Sequence, residues 1–252
     1  MEGRIYHHLV PIDNLNQKQA LHHISQLLKE GTSPNQLVTL NIAMYIEARR
    51  NHKFRHILES AYLVLPESVG LRLYSCFNPP RLVRTNGLLF AGELMKLCAE
   101  QNQKVVVFGA SEESRRLAVQ RLQTTISNLN IMDIQGDYNF SNETDSQYVT
   151  EKIGSSNASL ALMAGTEVEA EEWIYRWLIQ GNVEVRLAGN FGQTIDVWAE
   201  KKKYIPELAR KYGFEWLFRL IYDSPERKKR YRNVLVMFGR MAIMDMLKKH
   251  EL

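Results

Sequence analysis

The most constraining feature of this chain is the run KVVVF at 104–108, in which three valines follow one another without polar alternation. Such a run is typical of a strand covered on both faces, because a half-exposed strand alternates apolar and polar side chains. The run ends in GAS and gives way to a helix predicted over Glu112–Leu129. The same strand-then-helix order recurs along the chain and predicts an α/β fold built on a parallel sheet.

The alternation extends from the first helix to about residue 188. Apolar runs that end at a Gly, a Pro or a polar residue predict further strands at 36–41, 60–65, 131–134, 158–164 and 183–188. Apolar residues at helical spacing predict helices at 17–30, 42–58, 69–77, 88–101, 149–155 and 167–180. A polar loop is expected over 136–147.

The length and composition of the chain are compatible with one α/β domain plus an appendage, or with two small domains. The longest apolar runs are far short of the roughly 20 residues that a membrane-spanning helix requires. The first residues, MEGRIYHHLVPID, lack the apolar core of a secretory signal, so we expect a cytoplasmic protein. Cys76 and Cys98 form no CxxC pair and are interpreted as reduced thiols.

The carboxyl-terminal part differs in charge from the rest. From residue 200 onward there are fourteen Lys and Arg against seven Asp and Glu, and arginines alternate with aromatic residues in Gly213–Arg232. This composition suits a phosphate-rich partner, either membrane headgroups or nucleic acid, although an amphipathic terminal helix with a solvated basic face would also produce it. The sequence therefore predicts a body over residues 1–198 and a basic appendage over 199–252.

Ligands of parallel sheets bind at the carboxyl ends of the strands, and several polar residues stand there. Glu67 follows an apolar strand and is a candidate general base, although an N-cap or helix-start carboxylate, stabilised by the helix dipole, would also stand here. Thr39 and Asn41 end the neighbouring strand and could converge on the same crevice. Turn and cap duty explains them nearly as well.

Two glycine-containing turns are further candidates. The backbone N–H groups between Gly109 and Ser111 could hold a diphosphate, although any tight strand-to-helix turn favours a glycine. The loop with Gly189, Phe191 and Gln193 is a somewhat better candidate for contact with a nucleoside or a sugar. We expect no metal and no cofactor, because there is no Asp-x-Asp loop, no HExxH helix and no P-loop.

Seven segments, in their order and spacing, resemble the bacterial glycosyltransferase family that includes the WecG, TagA and CpsF proteins. The segments are VTLN at 38–41, VLPESVG at 64–70, RTNG at 84–87, VVVFGAS at 105–111, GDYNF at 136–140, EEWI at 171–174 and GFEWLFRL at 213–220. The Gly-x-Glu-Trp-x-x-Arg-Leu signature and the Arg-Tyr pair at 230–231 are the most specific. The resemblance covers most of the chain, from about Leu37 to Arg240.

The resemblance implies a Rossmann-like parallel sheet with helices on both faces and a helical appendage that completes the site at the membrane. The implied reaction moves a sugar from a UDP-sugar to an undecaprenyl-diphosphate-linked saccharide, with inversion and without a metal, in cell-surface polysaccharide synthesis. The implied location is the inner face of the plasma membrane, whose anionic leaflet would attract the appendage. Homo-oligomer formation, which would bury the apolar tail, is also implied, and nucleic acid is not an expected partner.

The resemblance also assigns roles to residues. Glu67 stands where the family has its proposed base, the aspartate of Pro-Asp-Gly-x-Gly, and Thr39 and Asn41 keep a Thr-x-Asn pair near the site. Arg84 matches an arginine that is expected to hold phosphate. The full set of implied substrate contacts is Arg84, Asn86, Gly87, Gly109, Ser111, Tyr138, Gly189, Phe191, Gln193, Arg219, Arg227 and Arg230, of which the last three would meet the lipid diphosphate.

The chain departs from the family pattern at the edge that handles the sugar. Ser68 replaces a glycine, Leu89 and Gly192 each replace an aspartate, and Val168–Glu171 lacks the expected glutamine. These changes suggest either a different donor sugar or lost catalysis. The alternative function is therefore an inactive relative that binds a lipid-linked saccharide or a partner transferase. A third hypothesis, nucleic-acid binding by the tail, predicts salt-sensitive binding to any duplex.

Overall fold

The computed structural model describes residues 3–201, 221 and 225–249. Its strands are β1 (Arg4–His7), β2 (Val10–Asp13), β3 (Asn35–Leu40), β4 (Leu63–Pro66), β5 (Val105–Gly109), β6 (Ile131–Asp133), β7 (Leu160–Ala164) and β8 (Leu187–Asn190). The first two form an antiparallel hairpin. The other six form one parallel sheet in the order β4-β3-β8-β7-β5-β6.

The helices of the described residues follow the strands in the alternation that the sequence predicts. They are α1 (Gln17–Glu30), α2 (Ile42–Arg50), α3 (His52–Ser60), α4 (Val69–Phe77), α5 (Gly87–Glu100), α6 (Glu112–Thr125), α7 (Glu143–Ser155), α8 (Glu167–Trp173), α9 (Thr194–Trp198) and α10 (Pro225–Lys249). A π-helical turn at Ile174–Ile179 continues α8. None of these helices has the length and apolar character needed to cross a bilayer.

The strands of the sheet are buried on both faces. Val105 and Val107 contribute to one apolar cluster, which α1, α5, α6 and α9 cover. Val106 and Phe108 contribute to a cluster on the other face, beneath α7 and α8, and a neighbouring cluster there lies beneath α2, α3 and α4. The prediction of a Rossmann-like parallel sheet with helices on both faces is therefore confirmed.

Some predicted boundaries are wrong. The helix expected over 42–58 is two helices, because Asn51 ends α2 and its Oδ1 then accepts from the N–H groups of Lys53 and Phe54 at the start of α3. The strand expected over 183–188 is displaced to β8, because the N–H of Val183 still bonds to the carbonyl of Leu178 and closes the preceding helical turn.

The polar segment before residue 149, which the sequence predicts to be a loop, contains the start of α7. Asn142 accepts a hydrogen bond from the N–H of Thr144 and caps α7, whose first turn carries Glu143 and Asp145. The amino-terminal hairpin was not predicted. It is held by Arg4, which bonds to Asp13 and to the carbonyls of Glu59 and Ala61, contacts too distant in sequence for a local pattern to show.

The carboxyl-terminal helix α10 is attached to the body by a partly buried ion pair. The guanidinium of Arg49 donates to both carboxylate oxygens of Asp245, at 2.6 and 3.0 Å, and the hydroxyl of Tyr74 also donates to Asp245. Burial alone would raise the pKa of Asp245, but the hydrogen bonds from Arg49 and Tyr74 outweigh burial and lower it to about 2. The ring of Phe238 packs on Tyr74, and Met241 is buried in the same cluster. The appendage that the sequence predicts over 199–252 thus includes a helix packed against the body, while its boundary at 198 stays a prediction.

We expect Asp245→Asn to loosen α10, because the substitution leaves the Arg49 guanidinium without its charged partner. The expected loss is about 2 kcal/mol in the free energy of unfolding, together with faster hydrogen exchange of the α10 amides. The matched control is Arg240→Met, which changes an exposed charge on the same helix and should leave exchange unchanged. Urea unfolding and hydrogen exchange read by mass spectrometry measure both variants.

The pH dependence of this effect follows from the lowered pKa of Asp245. A carboxyl group with a folded-state pKa below its unfolded value stabilises the fold above about pH 4 and loses that contribution as the pH falls toward 2. The stability difference between the natural chain and Asp245→Asn should therefore be complete at pH 7 and shrink between pH 4 and pH 2. A difference that does not depend on pH would contradict this assignment.

Candidate functional site

The parallel sheet brings the candidate residues to one edge. Because all six strands run in the same direction, the loops after β3, β4, β5, β7 and β8 leave from the same end of the sheet. The strand order places β8 and β7 between β3 and β5. The edge therefore runs from Glu67 at the end of β4, through Thr39 and the Gly189–Gln193 loop, to Gly109 at the end of β5.

Glu67 is held against the segment that carries Arg84. The backbone N–H of Glu67 bonds to the carbonyl of Leu40, and its own carbonyl accepts from Nε of Arg84 at 2.8 Å. The N–H of Thr85 bonds to the carbonyl of Pro66, which fixes the following residues beside β4. The structure thus brings Arg84 against the backbone of Glu67 at the sheet edge.

Gly87 leaves the space that the Glu67 side chain occupies. A Cβ atom at residue 87 would lie 2.6 Å from Oε1 of Glu67, which is far inside van der Waals contact. Asn86, the residue before it, caps α5 by accepting from the N–H of Leu89. The cap of the neighbouring α4 is Ser68 rather than Glu67, so the role of helix cap, which the sequence left open for Glu67, belongs to Ser68.

Thr39 and Asn41 both have structural bonds. The hydroxyl of Thr39 is nearly buried and donates to the carbonyl of Asn190 at 3.2 Å. The Oδ1 atom of Asn41 accepts from the N–H of Met44 at 3.0 Å and caps α2. The structure places both beside the end of β3, one strand away from Glu67.

The turn after β5 has an unusual backbone. Gly109 and Ala110 both have positive φ, at +78° and +52°, and the N–H of Ala110 bonds to the carbonyl of Ala164 at 2.9 Å. A Cβ atom on Gly109 would lie 2.4 Å from that same carbonyl oxygen. Glycine is therefore required here for close backbone approach between β5 and β7. Ser111 caps α6 and has an exposed side chain.

Arg115 is a buried cation beneath this turn that the sequence analysis missed. Its side chain is completely buried, and Nη1 donates to the carbonyls of Gly109 and Ala110 at 3.0 and 2.9 Å. Nη2 donates to the carbonyl of Gly136, and the guanidinium lies 4.9 Å from the centre of the Tyr138 ring. Arg115 thus links the loops that follow β5 and β6, and within the described part of the chain its charge is balanced by carbonyl dipoles and not by a carboxylate.

The start of α6 is acidic. Oδ1 of Asp137 accepts from the N–H of Glu112 at 2.8 Å, and Glu112 and Glu113 both belong to the first turn of the helix. A carboxylate already occupies the position that an anionic ligand would take at this helix end. Tyr138, from the same loop as Asp137, donates its hydroxyl to the carbonyl of Ile134. Burial raises the pKa of Tyr138 to about 12, against the opposing effect of Arg115, so the phenol is neutral.

Asn190 joins three strand ends. Its Oδ1 accepts from the N–H groups of Gly165 and Gly192, at 3.0 and 3.1 Å, and its carbonyl accepts from Thr39. The Gly189–Gln193 loop was predicted from the sequence as a candidate site, but Asn190 itself had no predicted role. An asparagine that follows a glycine at the end of an apolar strand was the available signal.

The other residues of this loop differ in exposure. The Phe191 side chain is buried in the cluster beneath α5 and α9, and a Cβ on Gly189 would approach its ring to 3.2 Å. Gly192 has a φ of +51° and an open surrounding, and Gln193 is half-buried. Gly192 and Gln193 are thus the members of this loop that are open to a ligand, while Phe191 and Gly189 shape it from below.

The basic candidates of the appendage are only partly described. Arg219 lies outside the described residues, and Arg227 and Arg230 belong to α10 at positions where the side chains are not described. A cavity of about 300 Å³ at the start of α10 is lined by Pro225, Lys228, Lys229 and Arg232. Within residues 3–201, 221 and 225–249, no three His, Cys, Asp or Glu side chains cluster as metal ligands would.

Comparison with known proteins identifies relatives along almost the whole chain. Residues 6–251 match the model of the "Glycosyl transferase WecG/TagA/CpsF family". A protein of Bacillus spizizenii (strain W23) is 25% identical over 79% of this chain and 75% of its own length, and one of Bacillus subtilis (strain 168) is 23% identical over 90% and 86%. A protein of Staphylococcus aureus (strain MRSA252) is 23% identical over 85% and 83%. All three are named N-acetylglucosaminyldiphosphoundecaprenol N-acetyl-beta-D-mannosaminyltransferase.

Gly109 and Gly192 provide a matched test of the site's backbone. Both have positive φ, but only Gly109 faces a carbonyl that a Cβ would strike. Gly192→Ala should cost about 1 kcal/mol in the free energy of unfolding, from the left-handed backbone alone. Gly109→Ala should cost about 3 kcal/mol or more, because β5 and β7 must also separate locally. Equal losses in urea unfolding would contradict the close approach described here.

Proposed function

Since the chain belongs to the WecG/TagA/CpsF family of glycosyltransferases, we propose that it transfers a sugar from a UDP-sugar to an undecaprenyl-diphosphate-linked saccharide. The named activity of the relatives supports a lipid-linked acceptor of this kind and an N-acetylhexosamine donor. The observation that carries the proposal is the placement of Glu67 beside Arg84 at the shared edge of the sheet. A carboxylate and a guanidinium at this position suit a base and a phosphate-binding group.

In the proposed reaction Glu67 is the general base. It accepts the proton of the acceptor hydroxyl as that oxygen attacks the anomeric carbon of the donor. The bond between the anomeric carbon and the phosphate oxygen breaks at the same time, and UDP leaves with the electron pair. A single displacement of this kind inverts the anomeric configuration. The Glu67 side chain, packed over Gly87, is partly exposed, which leaves an acceptor hydroxyl access to the carboxylate.

The charges along the sheet edge favour one orientation of the donor. We place the uridine toward Ser111 and Tyr138, where Asp137 offers carboxylate oxygens to ribose hydroxyls. The diphosphate then lies nearer to Gly192 than to the acidic start of α6. Neighbouring strands are about 4.8 Å apart, so the distance from β5 to β4 is about 19 Å, the scale of an extended nucleotide sugar. The transferred sugar accordingly reaches Glu67.

Arginines take the place of a metal ion in this proposal. Arg84 would stabilise the departing UDP, because a guanidinium binds phosphate oxygens in a bidentate manner. Arg219, Arg227 and Arg230 of the appendage would bind the diphosphate of the lipid acceptor. The cavity lined by Lys228, Lys229 and Arg232 supports this assignment, since it already presents cationic side chains at the start of α10.

The proposed location is the inner face of the plasma membrane, with peripheral attachment through α10. Val236, Ile243 and Leu247 are each half-exposed or more, and their spacing of seven and four residues places them on one side of the helix. Arg232 and Arg240 are exposed on the same side. Apolar side chains flanked by arginines suit the boundary between headgroups and acyl chains of an anionic leaflet.

We expect Glu67→Gln to lower kcat by at least about 100-fold, the usual contribution of a positioned general base. UDP release is measured with a panel of UDP-hexoses and UDP-N-acetylhexosamines, on liposomes that carry a short-chain diphosphate-linked sugar. Glu93→Gln, an exposed carboxylate that pairs with Lys96, is the control and should keep full activity. Unchanged turnover in Glu67→Gln would remove Glu67 from the mechanism. Absence of turnover across the panel, with tight acceptor binding, would support the inactive binding protein.

Gly87→Ala tests the same role without changing Glu67 itself. The added methyl group must displace the Glu67 carboxylate, and a shift of about 1 Å in a catalytic group can cost on the order of 100-fold in rate. The control is Gly92→Ala on the same helix, where a Cβ meets nothing within 4 Å. Both variants gain the helix propensity of alanine, so only Gly87→Ala should lose kcat. Equal activities would show that the position of the carboxylate does not limit the reaction.

A further inference from the structure

Glu171 on α8 is a carboxyl group completely enclosed by the protein. The side-chain amide of Gln36 donates to its Oε2 at 2.7 Å and to its backbone carbonyl at 3.1 Å. The second bond fixes which end of the Gln36 amide faces the carboxyl. Among the residues that the structure describes, Oε1 has no hydrogen-bond partner. The protein therefore buries an acid group on one face of the sheet, and one oxygen of that group has no hydrogen-bond partner among the described residues.

Among the residues that the structure describes, no cation contributes to the pKa of Glu171. The strands beneath it, β3 and β8, contain no charged residue. Two helices pack against α8. On α2, the negative charge of Glu47 helps to raise the pKa of Glu172, the residue after Glu171. On α3, the ring of His56 lies beside that of Tyr175. The other acids of α8, Glu167 and Glu169, are partly or fully exposed.

Burial therefore dominates the ionisation of this group. It raises the pKa of Glu171 to about 8, and the opposing effects come from the amides of Gln36 and Asn190. A buried carboxylate without a cationic partner is strongly disfavoured. At neutral pH the enclosed group is accordingly the uncharged acid.

Asn190 connects this acid to the sheet edge. Its Oδ1 is taken by the N–H groups of Gly165 and Gly192, so the amide nitrogen of the same side chain must find another acceptor. No hydrogen bond joins the Asn190 amide to Oε1, but the amide lies close enough to Glu171 to lower its pKa. Two amides thus converge on one carboxyl, and one of them carries the loops of the candidate site.

We propose that Glu171 is a positioning residue for the donor site, where its neutral carboxyl orients the Asn190 amide and Asn190 holds the Gly165 and Gly192 loops. This inference rests on the proposed function and adds to it a requirement for an uncharged acid beneath the site. Ionisation of Glu171 would place an unbalanced negative charge under the loop assigned to the donor diphosphate. Donor binding then weakens, because the charge repels the phosphates and the Asn190 amide must reorient.

The first test is the pH profile of the donor KM in the natural chain and in two variants of Glu171. In the natural chain, KM should rise about 10-fold between pH 7 and pH 9, as one proton is lost with a pKa near 8. Glu171→Gln keeps a neutral group of the same shape, so its KM should stay within about threefold of the natural value at pH 7 and remain flat to pH 9. Glu171→Leu removes the partner of Asn190 and should raise KM about 10-fold at every pH, with little change in kcat.

Glu172→Gln is the matched control, because it alters the next residue of the same helix, an exposed acid. Its pH profile should follow that of the natural chain. The proposal is overturned if the natural KM is as flat as that of Glu171→Gln. It is also overturned if Glu171→Gln loses as much donor affinity at pH 7 as Glu171→Leu, since the negative charge would then be needed.

A second readout does not depend on turnover. Because the folded-state pKa is raised above the unfolded value, the natural chain loses stability relative to Glu171→Gln as the pH rises from about 4.5 to about 8. The gap grows by up to tenfold in the folding equilibrium constant per pH unit within that window and is constant above it. Hydrogen exchange at Gly165 and Gly192 should be faster in Glu171→Leu than in Glu171→Gln.

These readouts separate the two proposals. If no donor binds to the natural chain while the stability and exchange differences appear, the proposed function fails and the role of Glu171 in holding the loops stands. If the stability gap or the exchange difference is absent, the inference about Glu171 fails, whatever the chain catalyses.

Discussion

Burial of both faces is the constraint on which this structure depends. When helices cover both sides of a parallel sheet, its interior can hold few polar groups, and polar side chains that act on a ligand gather where the strands end. This explains why Glu67, Arg84, Thr39 and Asn190 lie along one edge although they are far apart in the chain. The same burial makes each polar residue beneath that edge costly unless it holds something in place.

Two such residues support the edge from inside. Arg115 is fully buried and bonds to the carbonyls of Gly109, Ala110 and Gly136, which fixes the loops after β5 and β6. Glu171 lies buried beneath Asn190. It belongs to the half of the sheet that contains β3 and β8, whereas Arg115 belongs to the half that contains β5 and β6. The cation and the acid are each bound mainly by amide groups and not by each other. A site that depends on loop geometry thus gains rigidity from hydrogen bonds directed at backbone and amide groups.

The sequence was sufficient for the sheet and much of its edge, because those features have local signatures. KVVVF, for example, is typical of a strand covered on both sides, and the glycine of the following turn marks its end. The family pattern led to Glu67 and Arg84, which the structure places in contact. The hydrogen bond from Glu112 to Asp137 at the start of α6 was not foreseen, because the two residues are 25 positions apart.

Several other features of the structure were also not predicted from the sequence. Arg115 and Glu171 have charged side chains, which a sequence pattern assigns to solvent, and only their three-dimensional surroundings show that they are buried. Asn51 divides one expected helix into two through a side-chain bond that competes with the helical ladder. The hairpin at the amino terminus depends on Arg4 and its contacts with residues more than fifty positions away. Local periodicity carries no record of such contacts.

The pair Arg49 and Asp245 has a consequence for how this chain can change over time. The two residues are 196 positions apart, yet each is the charge partner of the other within the contact between α10 and the body. A substitution at either residue alone leaves the other as an unpaired, poorly solvated charge. Joint replacement of both by apolar residues of similar size would leave no such charge. Descendants of this chain should therefore keep both residues or lose both, so that the appendage and the body are inherited as a matched set.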